Sequence, residues 1–347
     1  MTIYYFILIA WFSYAISLKL GLKNQITLTN PLFGFLPMLS LFVLVGLRST
    51  SVGTDTSAYE FEFYNAAIDK RITEPGYSFV NFKLNEFGFS FKFFLILYSA
   101  LLVGSITWLI NTFSKDIFYS YILFFALGFM AFSMSGVRQT IALAFTMIAF
   151  IFLMKDKPIK FLFFVLLGSS FHIMTLSFLV VLLFYKWRLD LKAAFLIYAL
   201  SFITFFVSAP ILDYIEEVTG LVYFLYYRDT DSSINPLVTF MHIFIPLIAL
   251  IFWPKKLSRI YSVLYLLSII NLIIVLFALE IPMLNRLGLY FSLYSVILIP
   301  NIVADIDSKG LRLFTKTFGM VIPMLIFAIS TPGNSVGIDN YEFGFLD

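Results

Sequence analysis

The sequence predicts an all-α polytopic membrane protein with about ten spanning helices plus a re-entrant helical hairpin. Three observations carry that prediction. Of 347 residues, 61% are hydrophobic and only 12% are charged, against about 25% charged in soluble domains. Mean hydropathy is +0.95. Apolar runs of roughly 17–25 residues, the length a helix needs to cross a bilayer, recur along the whole chain.

The spans are expected near residues 2–18, 32–47, 91–110, 117–134, 137–154, 193–211, 237–253, 260–279, 287–304 and 314–330. The first lacks a basic leader and is followed by Lys19 and Lys23, so it reads as a span with its amino end outside and not as a cleaved signal. The run Phe161 to Phe184 is flanked by lysines and Arg188 at both ends and broken by Gly168-Ser169-Ser170. Twenty-four residues are too few for two crossings, and a single crossing would put the later basic loops outside. A hairpin that enters from the cytoplasm and returns there satisfies both constraints. With it, the inner connections hold 15 of the 23 Lys and Arg but 5 of the 20 Asp and Glu, and both termini lie outside.

Neither internal repeat nor domain boundary is visible, so residues 1–347 read as one integral membrane domain. Two outer loops, 48–90 and 212–236, exceed a simple turn, and their aromatic content favours short interfacial helices. A net charge of +3, with the cations scattered, gives no footprint for nucleic acid. The absence of cysteine excludes disulfides and thiolate metal sites. No metal cluster and no cofactor motif stands out.

Four arginines, Arg48, Arg138, Arg228 and Arg286, sit at the edges of apolar stretches on the expected outer side, against the general charge bias. Cations so placed point to an anionic ligand handled from outside. Arg138 and Gln139 open a span whose amino end faces outward, where unpaired N–H groups and the helix dipole favour an anion. The planar guanidinium fork of Arg138 suits phosphate oxygens. Snorkelling to lipid headgroups is the competing reading for Arg48 and Arg138.

The first outer loop, "GLRSTSVGTDTSAYEFEFYNAA", carries a tight turn at Gly53, then Asp55 as helix cap or base, then Tyr59. In "EPGYSFV", Glu74 precedes a Pro-Gly turn that would project its carboxylate. His172 follows the Gly168-Ser169-Ser170 break near the hairpin tip, where a structural and a substrate-orienting imidazole are equally consistent. His242 lies in a plain apolar span and reads as structural. Arg286, Tyr290 and Tyr294, spaced i, i+4, i+8, would share one helix face.

Taken in order, "RSTSVGTDTSAY", "EPGYSF", "SGVRQTIALAF", "SFHIMTLSF" and "NRLGLYF" resemble the EpsG family of Wzy-like exopolysaccharide and O-antigen polymerases. The resemblance runs from about Ile3 to Asn301, and "IDNYEF" is similar to the family's final Tyr-containing tail. It implies a glycosyltransferase of the bacterial plasma membrane, GT-C-like in architecture, that joins undecaprenyl-diphosphate-linked oligosaccharide repeat units at the outer face for O-antigen, capsule or exopolysaccharide. Implied partners are donor and acceptor lipid-linked glycans, membrane lipid and a chain-length regulator. On this reading Arg48, Arg138, Arg286 and Arg228 hold the diphosphate, while Tyr59, Gln139 and Tyr290 position substrate. Asp55 is the first candidate base, then Glu74, then His172. A flippase for the same glycan and a membrane acyltransferase using His172 are the readings from other classes.

Overall fold

Sixteen α-helices and two 3₁₀ segments account for the described residues, which are 1–21, 27–66, 74–219, 236–255, 258–331 and 337–344 of this computed structural model. Among them the one β pairing is an isolated antiparallel bridge between Arg48 and Phe343. The expected all-α class holds. Five helices are long and apolar enough to cross a membrane, and three bent pairs raise the number to eight. Two further expected crossings, Leu32–Gly46 and Pro236–Ile251, are only 15 and 16 residues long, and each contains a proline.

Contacts divide the chain into two compact units, Met1–Leu179 with Phe314–Asp347, and Val180–Leu313. The first begins with α1 (Thr2–Gly21) and α2 (Leu32–Gly46). Tyr4, Leu8, Trp11 and Ala15 of α1 form one buried stripe at helical spacing, and the Trp11 indole donates to Ser40 Oγ on α2 at 2.7 Å. The first outer loop contains α3 (Thr56–Tyr64) and α4 (Pro75–Glu86), as its aromatic content led us to expect. Next come α5 (Phe91–Phe113), α6 (Ile117–Ala126), α7 (Phe129–Ser135), α8 (Val137–Met154) and α9 (Pro158–Ser169). A 3₁₀ segment, Ile173–Leu183, then folds back from α9, which gives the expected hairpin its two arms. The last helix of the chain, α16 (Lys309–Ser330), returns to this unit. Its Lys316 pairs with Asp116, which also caps α6 by accepting from Tyr119 N at 3.1 Å.

One expected span is not straight. Residues 117–134 split into α6 and α7, bent by 51° at Leu127-Gly128. Gly128 takes φ +84°, which only glycine adopts readily. A second interruption at Gly136 separates α7 from α8, so the carbonyls ending α7 need donors from elsewhere. The loop after α2 supplies them. Met134 O accepts from Thr56 Oγ1 at 3.0 Å and from Arg48 Nη2 at 3.4 Å, and Thr54 Oγ1 meets Ser135 Oγ at 2.5 Å.

Residues 337–344 lie across that same loop as a strap. Ser49 N donates to Glu342 O at 2.9 Å, Gly53 N to Gly337 O at 2.8 Å and Gly344 N to Leu47 O at 2.8 Å. The Tyr341 hydroxyl donates to Leu44 O at 3.0 Å, and the amino terminus donates to Asp339 O.

The second unit holds α10 (Leu191–Ser201), α11 (Ile203–Thr219), α12 (Pro236–Ile251), α13 (Arg259–Ala278), a 3₁₀ turn (Pro282–Leu284), α14 (Asn285–Ser292) and α15 (Ser295–Ala304). Asp190 and Ser258 cap α10 and α13 through their side chains. The α10/α11 pair bends by 44°, and the α14/α15 pair by 51°. His242 has a polar partner after all, Asn271 Nδ2 at 2.8 Å from its Nδ1. Residues 220–235, most of the second expected outer loop and including Arg228, lie outside the described residues.

Gly53 tests the loop-to-break contact. It has φ +88°, and a Cβ there would overlap the Met134 carbonyl oxygen. Gly53→Ala should therefore lower stability by about 1–3 kcal/mol, read as a reduced melting temperature of the detergent-purified protein.

Candidate active site

Three segments converge where α8 begins. Arg138 is the second residue of α8, placed there by the Gly136 break. Glu74 occupies the N-cap position of α4 in extended conformation, because Pro75 starts the helix immediately after it. The carboxylate makes no capping bond to its own helix and instead reaches Arg138, Oε2 to Nη1 at 2.8 Å. Its other oxygen, Oε1, lies 3.5 Å from His172 Nδ1.

Glycine brings His172 to this place. Gly76 N donates to Ser170 O at 2.8 Å, and a Cβ on Gly76 would run into the Ser170 side chain. The hairpin tip can therefore sit directly on the first turn of α4. At the tip, Gly168 lets α9 close on α8, where a Cβ would lie 3.2 Å from that of Phe145 and 3.4 Å from Ala142 O. "EPGYSF" and the break before His172 are thus two halves of one contact.

Aromatic rings complete the surroundings of Arg138. Its guanidinium carbon is 5.5 Å from the Tyr59 ring centre and 5.7 Å from that of Tyr77, within cation–π range. The two rings meet edge to face at 5.9 Å. Burial pushes the Tyr59 phenol above its ordinary pKa, against the lowering pull of Arg138, so it stays protonated at neutral pH. Burial likewise raises Tyr77. Glu62, one turn beyond Tyr59 on α3, exerts a further negative field on Arg138 and both tyrosines, and its Oε2 is buried. Sequence reasoning overlooked Glu62 and Tyr77, although the Tyr59–Glu62 spacing of i, i+3 was there to be read.

The other expected site residues fall elsewhere. Arg48 is only 1% exposed and donates to Val45 O and Met134 O, with Tyr98 5.8 Å away. It braces the α7–α8 break, where a cation also suits the negative end of α7. Arg138 differs in having 29% of its side chain exposed, with 15% for Glu74 and 22% for His172. Asp55 stands at the N-cap position of α3 but makes no capping bond. It is exposed and acts electrostatically on Tyr59. Gln139 is buried on the first turn of α8. In the second unit Arg286 is exposed, whereas Tyr290 and Tyr294 are fully buried. Arg286 and Tyr290 keep their i, i+4 spacing on α14, whereas Tyr294 lies beyond its end at Ser292, at the bend.

No group of three or more His, Asp or Glu able to hold a metal occurs among the described residues. The cluster sets a guanidinium next to a carboxylate and an imidazole, groups able to pair with an anion and to handle a proton. A family model matches residues 32–343. The chain belongs to the EpsG family. EpsG proteins are Wzy-like polysaccharide polymerases, so a polymerase-like role in polysaccharide synthesis follows. The EpsG match reaches from the first residue of α2 to Phe343, and so takes in both units and the strap. No curated protein and no solved structure matches the chain.

Gly76→Ala should force the hairpin tip away from α4 and separate His172 from Glu74. An overpacking loss of about 1–3 kcal/mol is expected in thermal unfolding, and Ser170→Gly in the same background should restore part of it by making room for the added methyl.

Proposed function

We propose that this protein joins oligosaccharide repeat units carried on undecaprenyl diphosphate, at the outer face of a bacterial plasma membrane. The observation that supports this reading best is the meeting of Arg138, Glu74 and His172 from three separate segments. The loop charges favour an outer position for Glu74 and Arg138, with His172 reaching them from the hairpin tip.

In the proposed reaction the diphosphate of the donor docks at Arg138 and the first turn of α8. The acceptor is a sugar hydroxyl of a second lipid-linked unit. Its oxygen forms the new bond to the donor's anomeric carbon while the bond from that carbon to the diphosphate oxygen breaks. The electron pair leaves on the diphosphate, whose growing charge Arg138 stabilises. The hydroxyl proton passes to the Glu74 carboxylate, held in place by His172. A diphosphate leaves without protonation, so no general acid is required. A single displacement inverts the anomeric centre.

Glu74 takes the base role here because it lies in the cluster, whereas exposed Asp55 is assigned to orient the acceptor beside Tyr59. Arg48 serves the framework. Arg286, exposed in the second unit, is proposed to bind an anion there, with buried Tyr290 one turn along the same helix.

Reconstitution of the full chain with a lipid-diphosphate oligosaccharide, and nothing else, tests the activity. Lengthened glycan is expected; translocation of the glycan without lengthening would replace this reading with a flippase. Glu74→Ala should lower turnover by about 10²-fold or more, and Asp55→Asn by less than tenfold, compared by single-turnover gel assay. The reverse ranking would hand the base role to Asp55. Arg138→Lys retains the charge but not the fork, so polymerisation should drop by at least about tenfold with membrane abundance unchanged.

A further inference from the structure

The cluster contains a conflict whose resolution points to a built-in order of events. Arg138 is the accessible guanidinium of the site, yet its Nη1 is already engaged by Glu74 Oε2 at 2.8 Å. Its guanidinium carbon lies over the rings of Tyr59 and Tyr77, and the Tyr59 hydroxyl is a further hydrogen-bond partner. An anion therefore has to approach the guanidinium edge, and Glu74 stands on that edge. A phosphate oxygen that takes the Nη1 donor must displace Glu74 from it.

Glu74 is well placed to yield. Its carboxylate makes no capping bond to α4, so leaving Arg138 costs the helix nothing. Its second oxygen already faces His172 at 3.5 Å. The backbone at Glu74 is held by Pro75 and by the Gly76–Ser170 hydrogen bond, so a displacement would be carried by the side chain. A carboxylate held on a guanidinium is a weak base, and one released from it is stronger.

We propose that Glu74 occupies, in the unliganded protein, the position that a phosphate oxygen of the donor takes, so that diphosphate binding displaces it and thereby turns it into the base for the acceptor. The inference rests on the polymerase reading and adds its regulation. Deprotonation of the acceptor is withheld until a donor is in place, which makes binding ordered, donor first. Glu62 stays beside Arg138 throughout and keeps the cation partly compensated when Glu74 leaves.

The test is binding, measured on the full-length protein in nanodiscs with two probes, undecaprenyl diphosphate and inorganic pyrophosphate. Glu74→Gln removes the competing charge at constant shape, and it should bind both probes about tenfold more tightly than the unsubstituted protein, the size expected for loss of one charge-assisted competitor. Glu74→Ala should shift in the same direction, which guards against an idiosyncrasy of the amide. Tighter binding accompanied by loss of chain lengthening supports displacement. Equal or weaker binding by both variants overturns it. If the unsubstituted protein fails to lengthen glycan at all, the polymerase reading falls. If it lengthens glycan while Glu74→Gln binds no more tightly, displacement alone falls.

Discussion

The carbonyl of Met134 is the hinge on which the first unit depends. A helix broken at Gly136 leaves α7 with acceptors that nothing in α8 can satisfy, and an apolar surrounding makes unsatisfied acceptors expensive. Thr56 and Arg48 meet that need from the first outer loop, with the Tyr98 hydroxyl bonded to the neighbouring Ser133 carbonyl at 2.5 Å. The same break starts α8 with Arg138 at its amino end. One interruption therefore anchors the loop after α2 and sets Arg138 in the first turn of α8.

The two arginines of this region show how burial divides labour between identical side chains. Arg48 and Arg138 both follow the edge of an apolar run, and both face a helix terminus. Arg48 sits at the negative end of α7 and is enclosed by carbonyl oxygens and aromatic rings. Arg138 sits at the positive end of α8, where a lone cation is unfavourable, and it is accompanied by Glu74 and Glu62. An enclosed arginine holds structure together; a partly exposed one balanced by carboxylates keeps donors within reach of solvent.

Much of this was legible in the sequence, and the remainder fails for identifiable reasons. Hydropathy placed the spans and the hairpin because crossing length and charge are one-dimensional properties. Lys316 meets Asp116, both expected on the inner side, and the amino terminus meets Asp339, both expected on the outer. The Glu74–Arg138 pair was not legible, since 64 positions separate its members and either residue alone reads as an ordinary interfacial charge. Arg48 was ambiguous because snorkelling and bracing share the same sequence position. The bend after Ser292 carries no proline or glycine at 293 or 294 to announce it. Gly128, by contrast, marks the α6/α7 bend inside the span expected at 117–134.

The strap over the first outer loop has a consequence for how the protein comes into being. Ser51 and its partner Glu342 are 291 positions apart, so the loop is synthesised long before the segment that fastens it. Until α16 has been threaded into the bilayer, the backbone donors of Ser49 and Gly53 have no strap to bind. A nascent chain thus carries the loop after α2 unfastened until the segment beyond α16 has been made.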